Sequence, residues 1–357
     1  MKKTIAPVLL AGFVFGLVTA TGFAAPVVDP VVRQQPPAQP SAKVAIPKEV
    51  KELMLAGLAT RQPAKADIPF TIPTHVFMPA QQNAYIYLYL KVKNGDLGFA
   101  VPPAPQIVDP SVTVPAASKM RARFYVFVQY HKMENGAPKL VREIYVPTQL
   151  EAEAAGFDPN VEEYYSFGYP LSAGDYLAAV AIASPDLKKV GIQYHEFSLP
   201  DPKSFTKELD TTPILFLKNY EQVQAAETTT ELHKDLFAWS IARITPNLDK
   251  VFKVGESAEA FFFVYGAQPG GDQRYNIQVE FEVNQIDKPA IKFAAQTYTS
   301  PLIDQPLPLK QTLEIKTGDE VKTEQRDLPA GEYVFVARIL DSISGLKTEK
   351  KINFTVK

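Results

Sequence analysis

Leu171–Ile182 reads LSAGDYLAAVAI, and Leu328–Ile339 reads LPAGEYVFVARI. Leu171, Gly174, Tyr176 and Ile182 find their counterparts 157 positions on, at Leu328, Gly331, Tyr333 and Ile339. The register continues without a gap to the next apolar run, where Phe197-Ser198-Leu199 lies over Phe354-Thr355-Val356. Each repeated position answers a folding requirement. The leucine plugs the end of a core before the chain turns, and the glycine allows a backbone angle that a β-carbon resists. The tyrosine opens an inward-facing run, from which its hydroxyl can return to backbone a few residues upstream. A phrase held at fixed spacing from a closing strand reads as a corner built twice, once per domain.

The surrounding text has period two. AYIYLYLKV (84–92) alternates Tyr85, Tyr87 and Tyr89 with Ile86, Leu88, Leu90 and Val92. YNIQVEFEV (275–283) alternates Tyr275, Ile277, Val279, Phe281 and Val283 with polar residues. Such runs predict strands, and one wet face predicts an antiparallel sheet on a single core. Asn135-Gly136, between FYVFVQYH and LVREIYV, predicts a hairpin because both residues tolerate the positive φ of a type I′ turn. Thr148 and Glu151 read as the capping box of a short helix that Gly156 ends. With about seven strands in the first unit and hardly any helix, the chain reads as all-β. Two tandem antiparallel β-sandwiches, 66–200 and 213–357, are expected on either side of a linker at 201–212.

The repeated corner resembles the tyrosine corner of immunoglobulin-like sandwiches, which implies that Tyr176 and Tyr333 begin strand F of each domain. The second copy resembles something narrower. Its Leu-x-x-Gly-Glu-Tyr corner, its turn with Asp341, Ser344 and Gly345, and its terminal Phe-Thr-Val are similar to the last β-sandwich of secreted bacterial proteins that carry GWxTD domains. The GWxTD motif itself is absent, so the resemblance implies a fold and transfers no functional residue.

The first residues, MKKTIAPVLLAGFVFGLVTATGFAA, have a basic start at Lys2 and Lys3, an apolar stretch from Ile5 to Val18, and small residues behind it. This predicts a signal peptide over 1–24, cleaved after Ala24, with Val18 and Ala20 marking an earlier option. An uncleaved anchor is the rival reading, because the run approaches the roughly 20 residues of a spanning helix. Residues 25–47 are dense in Pro and Gln and predict an extended spacer. Over 48–62, Val50, Leu53, Met54 and Leu58 fall on one face of a short amphipathic helix, which needs a surface to lie on. The chain has no cysteine, which excludes disulfides, thiolate metal sites and acylation on Cys. A net charge of −2 marks no face for polyanions, so nucleic acid is not an expected partner. These features suit a bacterial periplasmic or secreted protein with no membrane span once the signal is removed.

Catalytic patterns are missing. His75, His131, His195 and His233 lie far apart in sequence, with no G-x-S-x-G element and no H-x-x-x-H pair. DPNVEEYY (158–165) lacks the ligand alternation of a calcium loop. No cofactor, metal or enzymatic activity is expected. One feature is unusual: both faces of AYIYLYLKV are apolar or aromatic. Tyr85, Tyr87 and Tyr89 are either covered internally, by the helix or the second sandwich, or form a binding face for a glycan or a partner protein. The stripe has no evident counterpart in the second copy, and Trp239 in LFAWSIAR reads as a core residue. The expected function is a structural or protein-interaction module. A carbohydrate-binding module on the tyrosine stripe and a periplasmic chaperone are the alternatives.

Overall fold

An alternating strand is stable only where a neighbouring layer takes its apolar face, and here layers are stacked so that each supplies the next. The structure, a computed structural model, describes residues 46–80, 83–102, 119–201, 208–227, 230–285, 291–317 and 320–357. The expected signal at 1–24 and all but the end of the spacer lie outside the described residues.

Helix α1 (Lys48–Ala56) is followed by β1 (Phe70–Pro79), β2 (Ala84–Lys93), β3 (Lys119–Glu134), β4 (Ala137–Glu153), β5 (Glu162–Leu171), β6 (Gly174–Ala183) and β7 (Val190–Leu199). Then come β8 (Asp210–Thr211), β9 (Leu215–Gln222), β10 (His233–Lys234), β11 (Phe237–Trp239), β12 (Ala242–Pro246), β13 (Val251–Phe252), β14 (Ser257–Tyr265) and β15 (Ile277–Asn284). The chain ends with β16 (Ile291–Lys292), β17 (Gln296–Tyr298), β18 (Leu302–Pro308), β19 (Lys310–Thr317), β20 (Glu320–Asp327), β21 (Gly331–Asp341) and β22 (Lys347–Val356). The fold is all-β, with α1 the single α-helix among the described residues.

Sheet β1-β2-β5-β10 faces sheet β4-β3-β6-β7 across a core that includes Ile86, Leu88, Phe124, Val126, Phe167 and Val180. Sheet β11-β12-β9-β14-β18 faces β13-β22-β21-β15-β16 across a second core, where Phe216 and Phe262 meet Phe281, Phe335 and Phe354. Nearly every pairing is antiparallel; β13 with β22 is parallel. On the far side of the first sandwich, Val50 and Met54 of α1 pack on Phe127, Ala179, Ala181 and Ile192. The alanines of β6 let the helix approach closely. It ends at Ala56, short of the expected 62, because the chain folds back at Gly57. A β-carbon there would stand 2.0 Å from the Gln62 carbonyl oxygen and 2.5 Å from the Tyr194 hydroxyl.

The two corner phrases build matching hairpins. Tyr176 stands opposite Phe197 in the β6–β7 ladder, and Tyr333 opposite Phe354 in β21–β22. In each the rings stack, with centroids 5.4 and 5.3 Å apart. The Tyr176 hydroxyl donates to the Ser172 carbonyl at 2.9 Å, and Tyr333 to the Pro329 carbonyl at 2.7 Å, each four residues upstream. Leu171 and Leu328 are buried beside them. Even the turns correspond: Ser184 N–H donates to the Lys189 carbonyl at 3.0 Å, and Asp341 N–H to the Leu346 carbonyl at 2.9 Å.

The glycines differ. Gly174 has φ +139°, but Gly331 lies outside the left-handed region, and a β-carbon on it would crowd the amide end of Gln285 at 2.8 Å and touch the Tyr333 ring at an ordinary 3.7 Å. The backbone requirement read from the phrase therefore holds in the first copy alone. In the second turn, Asp341 is fully buried and accepts from Gln268 N–H, Ile343 N–H and the Ser344 hydroxyl. Burial alone would raise its pKa, yet those donors hold it below the usual carboxylate range.

The helix expected from Thr148 and Glu151 does not form. Strand β4 runs through it, with Thr148 opposite Phe124 and Glu151 opposite Arg121. Thr148 and Val146 are buried, and Glu151 is held by Arg121 at 2.9 Å and Lys119 at 3.2 Å. A capping box is a local preference worth about 1 kcal/mol, and continuing a long hairpin outweighs it.

Candidate functional site

The tyrosine stripe lies on the outer face of β2, and the second sandwich covers it. Tyr87 and Tyr89 are buried with Val76 and Met78 against Leu215, Leu217, Phe237, Ile244 and Phe261. Tyr87 is 2 % exposed and Tyr89 0 %, while Tyr85 is half-buried and stacks on Tyr87 with ring centroids 5.7 Å apart. Burial pushes the Tyr87 and Tyr89 hydroxyls well above their ordinary pKa. The helix takes no part, since it packs on the opposite sheet. Only Tyr85 keeps enough surface to stack on anything outside the protein.

The cover is fastened by a strap made of β10 and β11. His233 and Lys234 pair with Ser166 and Tyr165, so residues from the second half of the chain finish a sheet of the first sandwich. The Ser166 hydroxyl donates to the Leu236 carbonyl at 2.6 Å, and Asp235 N–H to the Tyr164 carbonyl at 2.8 Å. Trp239 is not a core residue of either sandwich. It sits partly buried at the seam and donates its indole N–H to the Pro79 carbonyl at 3.1 Å.

The seam had a signal in the sequence on its second side as well. ILFL at 214–217 and FFF at 261–263 are apolar on consecutive positions. Leu215, Leu217 and Phe261 face the seam, while Phe216 and Phe262 face the second core. These strands, apolar on both faces, are the counterpart of the tyrosine stripe.

A groove of about 240 Å³ opens along the seam, lined by Thr74, Val76 and Tyr164 on one side and Leu215, Asn247 and Lys250 on the other. Near it, Tyr164 donates to Asp249 at 2.8 Å. The structure also joins two histidines that lie 120 positions apart. Nδ1 of His75 on β1 and Nε2 of His195 on β7 are 3.0 Å apart, with Phe197 beside both rings. Burial, then the neighbouring His195, lowers the His75 pKa to about 4; burial also lowers that of His195. His131 is buried separately on β3, and His233 pairs with Glu227 at 2.7 Å. No spacing rule could have joined His75 to His195, because the contact is made by the edges of two opposed sheets.

Among the described residues, no group of three or more His, Asp and Glu side chains is placed to hold a metal ion, and no helix is long and apolar enough to cross a membrane. No protein-family model and no curated protein matches the chain. Among solved structures, it is similar to Escherichia coli alpha-2-macroglobulin activated by porcine elastase, with 9 % identity and a TM-score of 0.22. That match covers 77 % of this chain and 26 % of the other, so the chain spans about a quarter of that protein's length. So loose a superposition assigns neither fold nor activity.

Proposed function

We propose that the chain is an exported, non-catalytic interaction module of a bacterial envelope or secreted fraction, built from two immunoglobulin-like sandwiches fixed to each other. The observation that carries this reading is the edge strand β4. Of its 17 residues, all but Val141, which sits at a bulge between Leu140 and Arg142, pair with β3 along one side, and no other described strand joins its free side. Leu140 and Val141 on it are 40 % and 43 % exposed. An open edge with exposed apolar side chains is a template for an extended segment of another protein, which gains main-chain hydrogen bonds by adding a strand. The seam supports the same reading, because a stripe used to join two sandwiches gives a rigid body on which that edge is held.

The test is capture from the protein's own envelope extract, comparing the wild-type chain with a Leu140→Lys, Val141→Lys double variant. Lysines on an edge block strand addition without touching the core. A partner retained by wild type and lost by the variant, at equal melting temperature, is the expected result. Equal capture by both would remove the edge from consideration. On this reading a glycan array gives no hits.

A further inference from the structure

We propose that His75 and His195 form a two-imidazole site for a divalent transition-metal ion of the copper or nickel class. The pair lies on the flank where edge strand β1 of one sheet meets edge strand β7 of the opposed sheet. Both histidines are half-buried, so an ion can reach them while Phe197 fixes the rings from behind.

The separation favours one metal class. Two nitrogens each about 2.05 Å from one ion and 3.0 Å apart subtend about 94° at it, whereas a tetrahedral ion would set them about 3.4 Å apart. A near-right angle is the cis position of a tetragonal ion, the geometry of Cu²⁺ and Ni²⁺ with nitrogen ligands. Two protein ligands, with water at the other positions, make an exchangeable site and not a structural one.

At 3.0 Å, one of the two facing nitrogens carries a proton that the other accepts. Coordination requires this proton to move to the far nitrogen of its own ring, after which both facing nitrogens are donors. No net charge change on the rings is needed when both imidazoles are neutral. The carboxylate of Glu196, next to His195 in sequence, pairs with Arg61 at 2.8 Å and is not counted as a ligand.

Cu²⁺ titration of the full chain at pH 7, followed by competition with a chelator, tests the site. The wild-type chain should bind one ion that His75→Ala and His195→Ala each weaken at least about tenfold, while His233→Ala, which removes the half-buried His–Glu pair of the strap, leaves it unchanged. Imidazole NMR on the wild type needs no variant to fold. Substoichiometric Cu²⁺ should broaden the His75 and His195 signals before those of His131 and His233. Undiminished binding in both folded variants, or broadening that begins at His233, would overturn the assignment and leave the pair as a shared proton only.

Discussion

The hydroxyl of Tyr87 donates to the backbone carbonyl of Ala238 at 2.6 Å, across 151 positions of sequence. Its ring lies 4.5 Å, centroid to centroid, from that of Phe237. One side chain thus ties the first sandwich to the strap of the second by packing and by a hydrogen bond. Tyr87→Phe keeps the ring and takes the donor from a part-buried carbonyl, which should cost about 0.5–1.5 kcal/mol. Tyr87→Ala also empties the ring's place and should cost about 3–5 kcal/mol. Urea unfolding followed by Trp239 fluorescence is the measurement, since the indole sits in the same seam.

Tyr87 stands opposite Gly168 in the β2–β5 ladder, and its ring lies over that glycine. A β-carbon on residue 168 would stand 2.3 Å from Cε1 of Tyr87, so Gly168→Ala must push the ring out of its seat. The expected cost is about 1–3 kcal/mol. In a Tyr87→Ala background the obstruction is gone, and the same alanine should cost far less. A double-mutant cycle by denaturant unfolding reads this coupling; additive effects would show that the ring does not occupy the space over Gly168 in solution.

The two corners make paired predictions. Tyr176→Phe and Tyr333→Phe each remove one hydroxyl-to-carbonyl bond of the same geometry, worth about 0.5–1.5 kcal/mol, and Tyr176→Phe also removes the 3.0 Å contact with the Ser172 hydroxyl, so it should cost at least as much as Tyr333→Phe. Their glycines should not behave alike. Gly174→Ala puts a side chain at φ +139° and against the Lys132 stem, whereas Gly331→Ala displaces only the mobile end of Gln285. Thermal melting of the two alanine variants should show a clear loss for the first and little change for the second.

What the sequence could reveal was set by how local each feature is. Period two over 84–92 and 275–283 marks β2 and β15, and the phrase at 171–182 and 328–339 marks two hairpins whose registers differ by 157 throughout. The strap was invisible, because strands of two and three residues such as β10 and β11 are too short to carry a period. The stripe at Tyr85, Tyr87 and Tyr89 announced that something must cover it. The answer lay in ILFL and FFF, whose consecutive apolar residues resemble any buried run until both of their faces are assigned. Thr148 and Glu151 misled because a capping signal says nothing of the strand beside it. His75 and His195 belong to the last category, a contact made only by tertiary structure.

A carboxyl pair predicts how stability depends on pH. Glu259 on β14 and Asp304 on β18 are diagonal neighbours across the ladder, since Glu259 is opposite Pro306 and Phe261 opposite Asp304. Burial first, then a hydrogen bond and the charge of Asp304, raise Glu259 to about 7; burial also raises Asp304. The two titrate as a unit that holds one proton between them. In the unfolded chain Glu259 would titrate near its ordinary 4.5. The folded state therefore keeps a proton that the unfolded state releases between about pH 4.5 and 7, and this contribution to stability is lost as pH rises through that window. His75 and His195 act in the opposite sense below pH 6.5, because their lowered values favour the folded state as pH rises. Substitution separates the two effects. Glu259→Gln keeps a donor for Asp304 without the second charge, so its melting temperature should exceed that of wild type at pH 8 and converge with it at pH 5. Parallel melting curves for the two proteins across that range would show that the pair does not share a proton.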